Sequence, residues 1–232
     1  MRYLDLTLPT PAENLALDEA LLEEAEASPQ PIETLRLWEP ARAMVVVGRS
    51  SAVAREALVE ACRRDGIPIL RRASGGAAVV IGPGCLMYAV VLSLRLRPAL
   101  RAVSHAHRFV LGTLAGALEA LAREVRCRGI SDLTLGAKKF SGNSLRLKRE
   151  NLVYHGTILY DFPLEWLDRY LAMPPREPGY RNGRPHREFV ANLPVPAAAI
   201  REAIRAAWSA TEPCLEWPRA LTEQLAADHY GT

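Results

Sequence analysis

Residues 73–94, ASGGAAVVIGPGCLMYAVVLSL, run for 22 positions without a charged side chain. That length is nominally enough to cross a bilayer as a helix. Gly75, Gly76, Gly82, Pro83 and Gly84 interrupt it, and Pro-Gly is turn chemistry. The segment therefore reads as two buried strands joined by a turn. A chain of 232 residues can bury such strands without disulfide staples.

The flanking sequence supplies more strands and the helices to cover them. Thr10-Pro11-Ala12-Glu13 is a helix start: Thr10 as N-cap, Pro11 in the first turn and Glu13 closing a capping box. Its leucines and alanines predict a helix with one wide apolar face. Strands are expected at 34–38, 43–48, 67–71, 132–136 and 151–160, and a short helix at 54–64. Leu111, Leu114, Leu118, Leu121 and Val125 step by three and four, predicting a long helix from about 104 to 125. Further helices are expected at 163–172, 197–209 and 218–229. Residues 173–196 are rich in Pro and Arg and read as a long loop or arm. The expected class is α+β, with a mostly antiparallel or mixed sheet packed with helices, as one catalytic domain over 1–232.

Composition excludes several function classes. Lys plus Arg is 29 and Asp plus Glu is 26, so a net charge of +3 is too mild to point to nucleic acid. Cys62, Cys85, Cys127 and Cys214 form no C-x-x-C pair, which excludes the usual zinc spacing and fits a reducing compartment. The first ten residues lack the apolar core of a secretory leader. A cytoplasmic protein without membrane or nucleic-acid partners is expected.

Three clusters carry candidate chemistry. Arg71-Arg72-Ala73-Ser74-Gly75-Gly76-Ala77-Ala78 puts two guanidiniums and a glycine turn at the end of a strand. Backbone N–H groups and arginines there suit a carboxylate or phosphate, although a plain hairpin reads equally well. Lys138-Lys139-Phe140-Ser141-Gly142-Asn143-Ser144 places a lysine beside a Ser-Gly turn, a point charge for a developing oxyanion or a solvated basic turn. His155 interrupts an apolar strand, where a hydrogen-bonded core histidine is the commoner outcome. A hydrolase triad of Ser141, His155 and Asp132 lacks the G-x-S-x-G elbow. Cys85 and Cys127 are candidate nucleophiles, against the commoner case of inert thiols. His105 and His107, two apart on a helix, make a poor metal pair, and no residue set is assigned to a metal.

Taken in order, these clusters resemble the lipoate–protein ligase A family, within the biotin/lipoate ligase superfamily, from Asn14 to about Leu193. Asn14–Leu21 is similar to the family's opening helix, and Leu37-Trp38 with Val46-Val47-Gly48-Arg49 to its next strands. Arg71–Gly76 matches R-R-x-S-G-G, Lys139–Ser144 matches K-x-S-G-x-A, and His155–Leu159 matches H-G-T-L-L. The resemblance implies attachment of lipoate or octanoate to a lysine of a lipoyl carrier domain, through an acyl-adenylate made from ATP with Mg²⁺. It implies that Lys139 is catalytic, holding the acyl carbonyl and phosphate. It assigns Trp38, Arg71, Arg72, Ser74, Gly75, Gly76, Ala77, Ala78, Ser141, Gly142, Arg146 and His155 to the pocket. Ser131 and Asp132 are placed near nucleotide and metal, and strands 76–93 supply an apolar tunnel for the acyl chain.

The chain also departs from the family pattern. Ala77 stands at the usual third loop glycine, and Ile81-Gly82-Pro83-Gly84 replaces the common His-Asp. The chain reads as a short form without the smaller C-terminal domain, and members lacking it often use an accessory ligase subunit. Two alternatives accompany this reading: an ATP-independent octanoyl transferase working through a cysteine thioester, and a non-catalytic basic module. The module would present Arg176, Arg181, Arg184 and Arg187 to an acidic partner.

Overall fold

The computed structural model describes residues 1–230. In chain order the elements are β1 (Arg2–Asp5), α1 (Pro11–Ala27), β2 (Thr34–Trp38), β3 (Met44–Val47), α2 (Val53–Glu56) and α3 (Val59–Arg64). They continue with β4 (Ile69–Arg71), β5 (Val79–Ile81), β6 (Cys85–Ser93), α4 (Val103–Glu119), β7 (Val125–Arg128), β8 (Asp132–Leu135) and β9 (Lys138–Leu147). β10 (Asn151–Leu159), α5 (Glu165–Tyr170), α6 (His186–Phe189), α7 (Ala197–Ala207), β11 (Glu212–Pro213) and α8 (Arg219–His229) complete the fold.

Eight strands form a mixed sheet in the order β11-β1-β2-β6-β10-β9-β8-β7. β1 runs parallel to both β11 and β2, and the other pairs are antiparallel. A second sheet, β4-β3-β5, stands apart from it. The uncharged segment supplies one strand to each: β5 pairs with β3, while β6 lies in the large sheet between β2 and β10. The Gly82-Pro83-Gly84 turn is thus a joint between sheets. Gly84 has φ +81°, and a Cβ there would lie 2.1 Å from the Asp161 carbonyl oxygen, so no other residue fits.

The capping box of α1 forms as the sequence predicts, with Glu13 N–H donating to Thr10 Oγ1 and Thr10 N–H to the Glu13 carboxylate. The helix is buried almost all round, because α8 covers the side that a single-faced helix would leave in water. Between α1 and β2 lies Arg36, with no solvent exposure. Its guanidinium donates to Asp18 Oδ1 at 2.6 Å, Asn14 Oδ1 at 2.8 Å, Asn14 O at 2.7 Å and Leu6 O at 3.0 Å. Every donor direction that burial removes from water is answered, as a buried charge requires.

Several expectations are corrected. The long helix stops at Glu119: Leu111, Leu114 and Leu118 are buried, but Leu121 is 40% exposed and Val125 begins β7. The apolar spacing continues past the helix end because the next strand also opens on a buried residue. The helix expected at 54–64 is two, broken where Ala57 bridges Leu171 and Leu58 N–H donates to Tyr170 O. The Lys138–Ser144 cluster is no turn but the start of β9, a ten-residue strand whose polar composition hides it. Residues 173–196 carry α6 and a 3₁₀ turn at Gly179–Arg181.

Asp18→Ala leaves a buried, unpaired guanidinium, so denaturant unfolding should show a loss of about 3–5 kcal/mol. Thr10→Ala should cost only about 1 kcal/mol in the same measurement.

Candidate active site

The loop 72–78 leaves β4 and enters β5, passing over the end of β3, which lies between them. β4 and β5 do not pair with one another, so the hairpin reading of this cluster does not hold. Arg72 threads the loop: its guanidinium donates to Ser74 Oγ at 3.2 Å, Gly75 O at 2.6 Å, Ala77 O at 3.0 Å and Val46 O at 3.2 Å. Burial pushes the Arg72 pKa down to about 10, with the Glu56 charge opposing. Arg71 Nη1 gathers the carbonyls of Gly48, Arg49 and Ser51. Gly76 has φ +95°, and a Cβ on Gly48 would lie 2.0 Å from Gly76 O, so the two backbones meet where no side chain fits.

His155 projects from β10 toward this loop. Its Nε2 is 2.6 Å from Ser74 Oγ, and its Nδ1 is 3.3 Å from Asp18 Oδ2. Arg72 only donates, so Ser74 Oγ accepts from it, and the Asp18 carboxylate only accepts. His155 then carries its proton on Nδ1 and donates to Asp18. Its partners are therefore Ser74 and Asp18, not Ser141 and Asp132. Ser74 is buried away from the cleft and Asp18 is held by Arg36, so the chain is a brace for the loop. Sequence reasoning missed Asp18, whose only signal is its place in Asn14–Leu21.

Lys139 sits at a bulge. Ser141 opposes Leu133 and Lys139 opposes Thr134, so Phe140 falls between and enters the main core. Such a bulge re-aims the neighbouring side chain. The ammonium lies 2.7 Å from Asp132 Oδ1 and folds over Gly142, where a Cβ would come within 2.8 Å of Nζ. Asn143, also missed, fastens the preceding loop: its backbone N–H and its Nδ2 both donate to Ser131 O, while Tyr88 OH donates to its Oδ1 at 2.6 Å. Gly156 leaves room for that side chain, since a Cβ there would lie 1.9 Å from Asn143 Oδ1.

These residues border one cleft with two lobes. The larger, of about 630 Å³, runs under the arm past Arg176, Arg181, His186 and Phe189. The smaller, of about 160 Å³, is walled by Leu15, Val46, Val79, Ile81 and Met87, with Arg72, Gly76, Ser144 and His155 beside them. Ala77, Ala78, Ser131, Asp132, Lys139, Gly142 and Thr157 border both. Of the expected site residues, Ser141 borders the larger lobe alone, while Arg71, Ser74 and Gly75 brace the loop from outside the walls. Trp38 and Arg146 border neither lobe. Trp38 is buried beneath the Arg36 guanidinium, 5.0 Å from its ring, and Arg146 is ion-paired with Glu19. Glu56 was missed: this buried carboxylate on the larger lobe accepts from Ala78 N–H at 2.6 Å.

None of the four cysteines borders either lobe. Cys85 is fully buried and burial pushes its thiol pKa up, while exposed Cys127 lies on β7, also raised by partial burial. The arm's arginines are largely engaged: Arg181 and Arg184 stack on Phe189, and Arg187 pairs with Asp168. That leaves little of the free basic face a binding module needs. Among the described residues no helix is long and apolar enough to cross a membrane.

The fold is that of the lipoate ligases. It superimposes on a chain from the structural analysis of a bi-partite lipoate protein ligase and its E2 lipoyl domain from Thermoplasma acidophilum, with TM-score 0.84 at 23% identity over 100% of this chain and 93% of that one. A lipoate-protein ligase A bound with ATP gives TM-score 0.81 at 23% identity, covering 100% and 96%. The sequence profile of the lipoyl protein ligase A/B catalytic domain matches residues 10–206, and the chain belongs to that family. An Aeropyrum pernix protein that carries the lipoate-protein ligase A name is 33% identical over 150 residues, 65% of this chain and 54% of that protein. The chain spans about half the length of the curated relatives it matches.

Gly142→Ala should push the Lys139 ammonium off Asp132 while the flexible side chain absorbs the clash. Thermal unfolding should stay within a few degrees, and any reaction through Lys139 should fall by about 10²-fold, the usual cost of a misplacement near 1 Å.

Proposed function

We propose that the protein attaches lipoate or octanoate to a lysine of a lipoyl carrier domain, through an acyl-adenylate formed from ATP with Mg²⁺. The observation that carries this reading is Lys139 at the junction of two lobes, the smaller walled by Leu15, Val46, Val79, Ile81 and Met87 and the larger running under the arm past Arg176, Arg181 and His186. In it, the smaller lobe takes the acyl chain, each buried CH₂ contributing about 0.8 kcal/mol. The carboxyl group then lies at the neck, beside Lys139 and the backbone of Gly76–Ala78, and the larger lobe takes the nucleotide.

Charge builds at the neck when the carboxylate attacks the α-phosphate and expels pyrophosphate, and again when the acceptor amine attacks the acyl carbonyl and expels AMP. Lys139 lies at the neck to meet it, and a charge placed there is worth roughly 3–4 kcal/mol of barrier. The brace behind Ser74 keeps the loop from yielding as charge develops. Among the described residues no cluster of three metal-ligating side chains exists. Asp132 and Glu56 both border the larger lobe, and Mg²⁺ binds through one or two carboxylates together with substrate phosphates. Asp132 would hold it there, and the ion would offset phosphate charge. The cysteine-thioester transferase is disfavoured because no thiol reaches the cleft.

The test is the intact mass of a lipoyl carrier domain after incubation with the protein, lipoate or octanoate, ATP and Mg²⁺, with a parallel tube given synthetic lipoyl-AMP. Acylation in both tubes is expected of a self-sufficient ligase. Acylation from lipoyl-AMP alone would assign adenylation to an accessory subunit. Lys139→Ala should reduce transfer from lipoyl-AMP by about 10²–10³-fold. Absence of transfer from either donor would overturn the reading.

A further inference from the structure

Asp132 divides its carboxylate between two donors. Oδ1 holds Lys139 Nζ at 2.7 Å, and Oδ2 accepts from Tyr180 OH at 2.8 Å. Tyr180 comes from the 3₁₀ turn of the arm, far from the motifs that border the cleft. Its ring is seated on three sides. Phe189 lies at 5.2 Å between centroids, the Arg128 guanidinium is 5.8 Å from the ring, and Gly129 leaves the space that a Cβ would narrow to 3.4 Å. Burial and the Asp132 charge raise the phenol pKa, so it stays a donor. The arm also holds the lysine's backbone, with Ala191 N–H donating to Lys139 O at 2.9 Å.

Without substrate, then, the Lys139 ammonium is already engaged. An anion at the neck competes with Asp132 for the ammonium's donors, and a carboxylate this enclosed loses heavily if left with no donor. A charge-assisted hydrogen bond from Tyr180 to its second oxygen offsets that loss. It also fixes the carboxylate, so Asp132 cannot follow the ammonium toward the incoming negative charge.

We propose that Tyr180 is a positioning residue for Lys139: by keeping Asp132 hydrogen-bonded and fixed, it lets the lysine transfer its charge from Asp132 to an anionic acyl-adenylate. This rests on the proposed adenylate chemistry and extends it to a residue of the arm. Its action runs through Asp132, so it should vanish when that carboxylate is neutralised.

The experiment is a double-mutant cycle on binding of lipoyl-sulfamoyl adenosine, a non-reactive anionic isostere of the acyl-adenylate, by calorimetry in EDTA. Tyr180→Phe keeps the ring contacts and removes only the hydroxyl. It should weaken binding about tenfold, the usual size of one hydrogen bond to a charged group, with thermal unfolding nearly unchanged. In an Asp132→Asn background the same change should alter affinity less than twofold. Steady-state transfer to the carrier should show the loss in KM, with kcat preserved. An unchanged affinity for Tyr180→Phe overturns the proposal. So does an equal loss in both backgrounds, which would make Tyr180 a packing residue of the arm. Wild type that binds the isostere but fails these comparisons sinks only this inference. Wild type that does not bind it sinks the adenylate reading as well.

Discussion

A guanidinium with no access to water organises this molecule. Arg36 could not be buried between α1 and β2 unless Asp18 answered its charge. Asp18 has a second oxygen, and that oxygen reaches His155 in the middle of the large sheet. His155 holds Ser74, and Ser74 accepts from Arg72, a half-buried guanidinium beside the cleft. One hydrogen-bonded line thus runs from the first helix through the sheet into the loop that borders the cleft. Each uncompensated charge along it would cost several kcal/mol, so the line holds its members in a single arrangement. The position of the loop is therefore set by the core.

The two sheets contribute different parts. The small sheet carries the crossing loop and its backbone donors, while the large sheet carries Lys139, Gly142 and His155 on neighbouring strands. Both contribute apolar walls to the smaller lobe, Val46, Val79 and Ile81 from one and Met87 from the other. Lys139 owes its direction to a local fault in the β8–β9 ladder and to the absent side chain at Gly142. Backbone irregularity and small residues thus recur where the chemistry is proposed, while the strands behind them are regular and fully buried.

What could be read from the sequence was local. The capping box, the Pro-Gly joint and the uncharged strands each declare themselves within a few residues. The three motifs are legible because their spacing survives in the chain order. β9 was not legible, since Lys138, Lys139, Ser141, Asn143 and Ser144 look like a solvated turn until β10 and β8 pair with them. Nor was the fate of Arg146, whose carboxylate partner, Glu19, lies in the first helix. Asp18, Glu56 and Asn143 carry no signature of their own, because each acquires its role from a partner far away along the chain. Trp38 was assigned to the pocket by resemblance, and the packing of a buried cation against its ring gives it structural work instead.

The joint at Gly82–Gly84 has a mechanical consequence. Two sheets connected by so short a tether, clamped where Gly84 meets Asp161, cannot spread apart like a hinged shell. The bond from Ser144 Oγ to Gly75 O and the His155 brace rivet them again at the cleft itself. Two walls of the box are therefore fixed. The remaining wall, the arm from Met173 to Pro196, is tied down by side-chain contacts such as Tyr180 to Asp132 and Arg181 on Phe189, so any slack in the width of the cleft is left to those few bonds.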